Sequence, residues 1–159
     1  MKVKLNMVVR IAVVAAIYAA LTILQGNSAY LGIQFRIAEI LNLLAFINPF
    51  YGIGVILGCF ISNLYSPILM DMLFGTLATA LSVFLIGRSK NLFIASLYPV
   101  FINAIIVGIE LYFAYKLPLL LTMFQIAIGE FVVVSIVGYI LFKFILKNKG
   151  LTKILNITK

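Results

Sequence analysis

Four residues of this chain carry negative charge, Glu39, Asp71, Glu110 and Glu130, and each lies inside a long apolar stretch. On insertion scales a carboxylate at the bilayer centre costs roughly 2.5–3.5 kcal/mol, so it faces a cavity or a partner rather than lipid. Four at comparable depth describe a pocket. The polar residues around them extend it. Arg36 and Asn42 stand three residues to either side of Glu39, close enough to share its helix face. Asn103 precedes Glu110 by seven residues, two helical turns, and points the same way. Gln125 precedes Glu130 by five, which does not require a common direction, and Asn63 closes another apolar run. The candidate substrate-binding set is Arg36, Glu39, Asn42, Asn63, Asp71, Asn103, Glu110, Gln125 and Glu130. Plainer roles compete for four of them. Arg36 and Glu39 could form an ion pair at a helix entrance. Asp71 could serve the positive end of a helix dipole, and Asn103 could join two helices.

The elements that must carry these residues are apolar helices. Of the 159 residues, 65% are hydrophobic, more than a soluble domain of this length could cover with polar surface. Several runs approach the roughly 20 apolar residues that cross a hydrocarbon core. An all-α integral membrane protein follows, with helices expected over about 7–25, 37–47, 51–64, 68–86, 91–115 and 119–146. Asn48-Pro49, Ser66-Pro67 and Gly87-Arg88-Ser89-Lys90 supply the breaks, and Pro99 should interrupt or kink the fifth helix. Residues 37–64 form the ambiguous stretch, since each half is short for a bilayer. Charge decides it. With two crossings there, or a re-entrant hairpin, Arg88, Lys90, Lys143, Lys147, Lys149 and Lys153 fall on one side with both termini. Only Arg36 and Lys116 are left opposite. The expectation is one domain of six transmembrane helices, multi-pass in the cytoplasmic membrane, with both ends cytoplasmic and the acids in the external half. Lys2 and Lys4 before the apolar stretch 7–24 raise a signal peptide, but that stretch exceeds an ordinary signal core and further spans follow.

A net charge of +8 accompanies no aromatic-interleaved basic stripe, so topogenic signals explain it better than nucleic acid does. The sequence holds no phosphate-binding loop, no His/Cys ligand cluster and no nucleophile elbow. Nucleotide hydrolysis by this chain, a resident metal and a cofactor are therefore not expected, and neither is enzyme activity. Cys59, the lone cysteine, reads as a small packing residue. Ala12, Ala16 and Ala20 recur every four residues on the first helix; small residues so spaced admit a close neighbour, either inside the bundle or as a docking face.

Gln34-Phe35-Arg36-Ile37-Ala38-Glu39, Asn48-Pro49 with Gly54 and Gly58-Cys59, Asn63-Leu64-Tyr65-Ser66-Pro67, Asp71 and Phe74-Gly75-Thr76-Leu77-Ala78-Thr79 resemble the QueT family. That family is similar to the substrate-binding S-components of energy-coupling factor (ECF) transporters. The match is dense over 34–79 and looser in the last two helices. The resemblance implies a six-helix S-component bundle with an external pocket. It implies that Ala12, Ala16 and Ala20 dock on a transmembrane coupling subunit, with two ATPase subunits supplying energy. It also implies a nucleobase-like cargo, a deazaguanine queuosine precursor with or without an aminomethyl group. Tyr30, Phe35 and Tyr112 become candidates to stack on its ring. Neutralising Glu39, Glu110 or Glu130 is then expected to weaken binding more than folding. The competing expectations are an S-component for another vitamin-like compound, an autonomous small-molecule or cation carrier, a membrane-embedded enzyme and a purely structural subunit.

Overall fold

Signals in the sequence set the ends of the helices in the computed structural model, which describes residues 2–30 and 35–156. Gln34 lies outside the described residues. Helix α1 (Lys2–Gln25) stops at Gly26, whose φ of 62° is the left-handed conformation that glycine adopts without penalty. A short 3-10 turn (Gly26–Ala29) follows, and past Arg36 the chain enters a 3-10 helix, Ile37–Leu43, that runs into α2 (Leu44–Ile47). Next come α3 (Phe50–Asn63), α4 (Asp71–Ile86) and α5 (Leu92–Tyr115). The Asn91 side chain caps α5 by accepting from the Phe93 and Ile94 amides, and left-handed Lys116 ends it. Pro118 opens α6 (Leu119–Glu130), which continues as a π-helical stretch, Phe131–Gly138, and then α7 (Tyr139–Lys147). Asn148 caps a final helix, α8 (Lys149–Leu155).

Four details depart from the sequence expectation. The first helix begins before residue 7, and a helix forms within the lysine-rich tail. Helix α5 continues through Pro99, so of the two expected outcomes, an interruption or a kink, the interruption does not occur. Near that proline the Ser135 hydroxyl donates to the Ser96 carbonyl at 2.9 Å, a partner from outside the helix. Finally, the second helix is 3-10 over most of its length. A 3-10 helix rises about 2.0 Å per residue against 1.5 Å for an α-helix, so the eleven residues Ile37–Ile47 reach roughly 20 Å.

Glycine fixes how the helices approach. A Cβ on Gly54 would lie 2.6 Å from the Ile11 carbonyl oxygen, and one on Gly58 would lie 2.7 Å from both the Ala15 carbonyl and Tyr18 Cβ. Helices α1 and α3 therefore run parallel with backbones in contact, using the small-xxx-small spacing that substitutes for hydrophobic drive in lipid. Helix α4 returns along α3, with Gly52 against Val83 and Gly87 against Pro49. Helix α6 meets α5 where Gly108 faces Met123. The 3-10 helix touches α1, α3, α4, α5 and the π-helical stretch, which makes it the central element. Gly138 lets the two irregular helices close together, facing Leu43 and Ile40.

The molecule has two chemically distinct ends. At one, Arg10 donates to the Ile154 carbonyl and the Tyr51 hydroxyl donates to the Leu155 carbonyl at 2.9 Å, tying α8 to α1 and α3. Arg88, Lys90, Lys143, Lys147, Lys149 and Lys153 belong to the same end. At the other end lie the C-terminus of α1, the α3–α4 turn and the α5–α6 turn. Between them the surface is apolar: Val13, Phe101 and Ile105 are at least half exposed, as lipid-facing side chains would be. Leu5–Gln25, Leu92–Tyr115 and Leu119–Lys147 are each long and apolar enough to cross a membrane, while Ile37–Ile47, Phe50–Asn63 and Asp71–Ile86 are shorter apolar helices. This is an all-helical membrane protein.

Candidate functional site

Glu39 sits on the central 3-10 helix and is completely buried. Tyr18 of α1 donates its hydroxyl to one carboxylate oxygen and Asn42 donates its amide to the other. The Arg36 guanidinium lies 3.8 Å from Glu39 Oε1, the single ion pair among the described residues. Arg36 has further partners. Its Nε donates to the Ala29 carbonyl at 3.2 Å, and its guanidinium sits 5.5 Å from the centre of the Tyr30 ring. The Tyr30 hydroxyl donates to the Ser62 carbonyl at 2.7 Å. The plainer expectation for Arg36 and Glu39, an ion pair, is thus present. It is also part of a larger network.

Glu130 ends α6 where the π-helical stretch begins, a kind of irregularity that often accompanies functional sites. Asn103 of α5 donates to its Oε1 at 2.9 Å, while Oε2 finds no partner within the protein. Glu130 lies within electrostatic reach of Glu39 and Arg36. A second group lies on α5 seven residues, or about 10 Å, from Asn103. There Glu110 lies within electrostatic reach of Asp71, the first residue of α4. Ser66, positioned by the turn at Pro67, donates to Asp71 Oδ2, and Asp71 Oδ1 has no donor. Neither oxygen of Glu110 has one. Asn63 closes α3 over this pair, its amide donating to the Asp71 backbone carbonyl at 2.8 Å. Cys59 links the two groups: its sulfur lies 3.2 Å from Thr79 Oγ1, 3.4 Å from Asn63 Nδ2 and 3.9 Å from an Arg36 nitrogen.

Eight of the nine residues expected to bind substrate meet in this interior. Gln125 does not; it is half-buried, and among the described hydrogen bonds none ties it to the group. Its five-residue offset from Glu130 turns it toward another face of α6. Asn103 and Glu110 share a helix but not a partner, because each meets a different element. Asp71 stands in the first turn of α4, as the dipole reading expected, and its carboxyl also accepts from Ser66. The ring-stacking candidates fare poorly: Phe35 and Tyr112 are exposed, and Tyr30 already gives its face to Arg36. On α1, Ala12, Ala16 and Ala20 are exposed, while the inward face uses Ala15 and Ala19. Tyr18 and Thr79 were missed. A tyrosine in mid-helix among apolar residues needs a partner for its hydroxyl, and that was the available signal for Tyr18. Thr79 carried none.

The acids occur in pairs rather than as a metal cage; among the described residues no three His, Cys, Asp or Glu side chains converge to hold an ion. Clefts of about 310 to 650 Å³ open at the basic end, around Lys149 and Gly87. Carboxylates are absent from their walls, and the chemistry lies in the sealed interior, where Glu39, Asp71, Glu110 and Glu130 are at most 3% exposed. One arginine faces four acids there. Apolar helices that enclose buried acids are a recurring feature of membrane transport proteins.

The chain belongs to the QueT transporter family, whose profile matches residues 8–147. It is similar to the queuosine precursor transporter QueT of Lactococcus lactis subsp. cremoris (strain MG1363), with 38% identity over 154 residues, 86% of this chain and 90% of that protein. No solved structure matches it.

Proposed function

We propose that this chain is the substrate-binding S-component of an ECF-type importer, taking up a deazaguanine queuosine precursor from outside the cell. The observation that carries this reading is the sealed interior, where carboxylates outnumber the cationic partner and six side-chain oxygens lack any donor: Asn42 Oδ1, Asn63 Oδ1, Asp71 Oδ1, both of Glu110 and Glu130 Oε2. Unpaired acceptors in a low dielectric are costly, and a guanine-like edge brings the N–H donors they lack. The relative's name supports the cargo. Six crossings with both termini cytoplasmic agree with the basic end described above. The extended 3-10 helix supports counting Ile37–Ile47 as one of them, since it stretches a short segment toward membrane thickness.

No phosphate-binding loop is present, so energy comes from partners, a coupling subunit and two ATPases. The exposed column Ala12, Ala16 and Ala20 supports a docking face on α1. Ala16→Phe is expected to leave the melting temperature and ligand affinity of the purified protein unchanged while abolishing uptake in cells; normal uptake would remove the docking face. Mass spectrometry of small molecules that co-purify with the protein tests the cargo. A deazapurine is expected, and a different vitamin-like compound would keep the mechanism and discard this substrate. Transport by the chain reconstituted alone would instead favour an autonomous carrier.

A further inference from the structure

The two carboxyl groups at Asp71 and Glu110 are chemically unlike the other pair. Glu39 is already satisfied by Tyr18, Asn42 and Arg36, and Glu130 has Asn103. Asp71 and Glu110 are 0% and 1% exposed and within electrostatic reach of each other, and three of their four oxygens have no donor. The Arg36 guanidinium is paired with Glu39 and donates to the Ala29 carbonyl. Two neighbouring buried carboxylates are stabilised by a cation placed beside them. A primary ammonium group supplies one positive charge and three donors. It matches three unpartnered oxygens, with Asn63 Oδ1 a fourth acceptor on the residue that binds Asp71. The same cation placed beside Glu39 would instead meet Arg36.

We infer that the Asp71–Glu110 pair is the subsite for an alkylammonium group on the ligand, while Asn42 and Glu130 take neutral N–H donors. This inference rests on the function proposed above and assigns its charge selectivity to one pair of residues.

Binding of two probes to purified protein tests it: the aminomethyl deazaguanine and the same base bearing an uncharged hydroxymethyl group. Wild type should prefer the amine by roughly 10-fold or more, as expected for a charge-assisted bond. In Glu110→Gln, and separately in Asp71→Asn, that ratio should fall toward one, whatever happens to absolute affinity. Glu130→Gln should weaken both probes and keep the ratio. If both probes bind and Glu110→Gln and Asp71→Asn retain the wild-type preference, the assignment is overturned and the pair merely shares a proton. If neither probe binds wild type, the deazaguanine reading itself is wrong and the assignment goes with it.

Discussion

Glu39→Gln is expected to lower the stability of the empty protein by about 3 kcal/mol, whereas Glu110→Gln should leave it unchanged or raise it. Both variants should lose ligand affinity, so the contrast lies in folding. Replacing Glu39 strips Arg36 of its 3.8 Å partner in a fully buried setting, and breaking a buried pair costs roughly 3–5 kcal/mol. The new amide also sets a donor against the Asn42 amide or the Tyr18 hydroxyl, both of which now donate to the carboxylate. Glu110 has no donor to lose and faces another acid, so its neutral isostere relieves repulsion. Thermal unfolding in detergent without ligand reads the difference directly. Equal melting temperatures in the two variants would show that the Arg36–Glu39 pair does not stabilise the bundle. The outcome separates two acids that looked alike in sequence, where neutralising either was expected to harm binding more than folding. Stability sacrificed at a binding site is a familiar pattern.

Gly58→Ala is expected to cost roughly 1–3 kcal/mol and to weaken ligand binding as well, although residue 58 carries no polar side chain. Its added Cβ would meet the Ala15 carbonyl and Tyr18 Cβ at 2.7 Å, contacts that backbone cannot relieve by rotating a side chain. Helix α1 must move outward, and Tyr18 moves with it, away from Glu39. Gly58→Leu should prevent the fold from forming. Melting temperature and ligand affinity measured on the alanine variant check both halves. Loss of stability with full affinity would mean that Tyr18 only fills space.

Much of this was legible from residue types and their order. Apolar runs, Asn48-Pro49 and Gly87-Arg88 marked the segments, and the acids marked the interior because lipid tolerates them poorly. The last helix was legible as a span, but the π-helical stretch at Phe131–Gly138 was not, since it answers to the packing of Gly138 against the 3-10 helix. The 3-10 form of Ile37–Leu43 was equally hidden; it reflects the distance a short buried segment has to cover.

Sequence alone determined the membrane class, the positions of the breaks and the roster of buried polar residues, because these follow from local hydrophobicity and from charge order along one chain. Tertiary structure decided the partners: Asn103 with Glu130, Glu110 with Asp71, Tyr18 with Glu39, and Gln125 apart. Such pairings join residues 21 to 39 positions apart, as do Tyr18 to Glu39 and Glu110 to Asp71, and helical periodicity fixes a residue's face but not the helix opposite it. That choice was made by glycine contacts such as Gly54 and Gly58, which set how closely and in what register the helices meet.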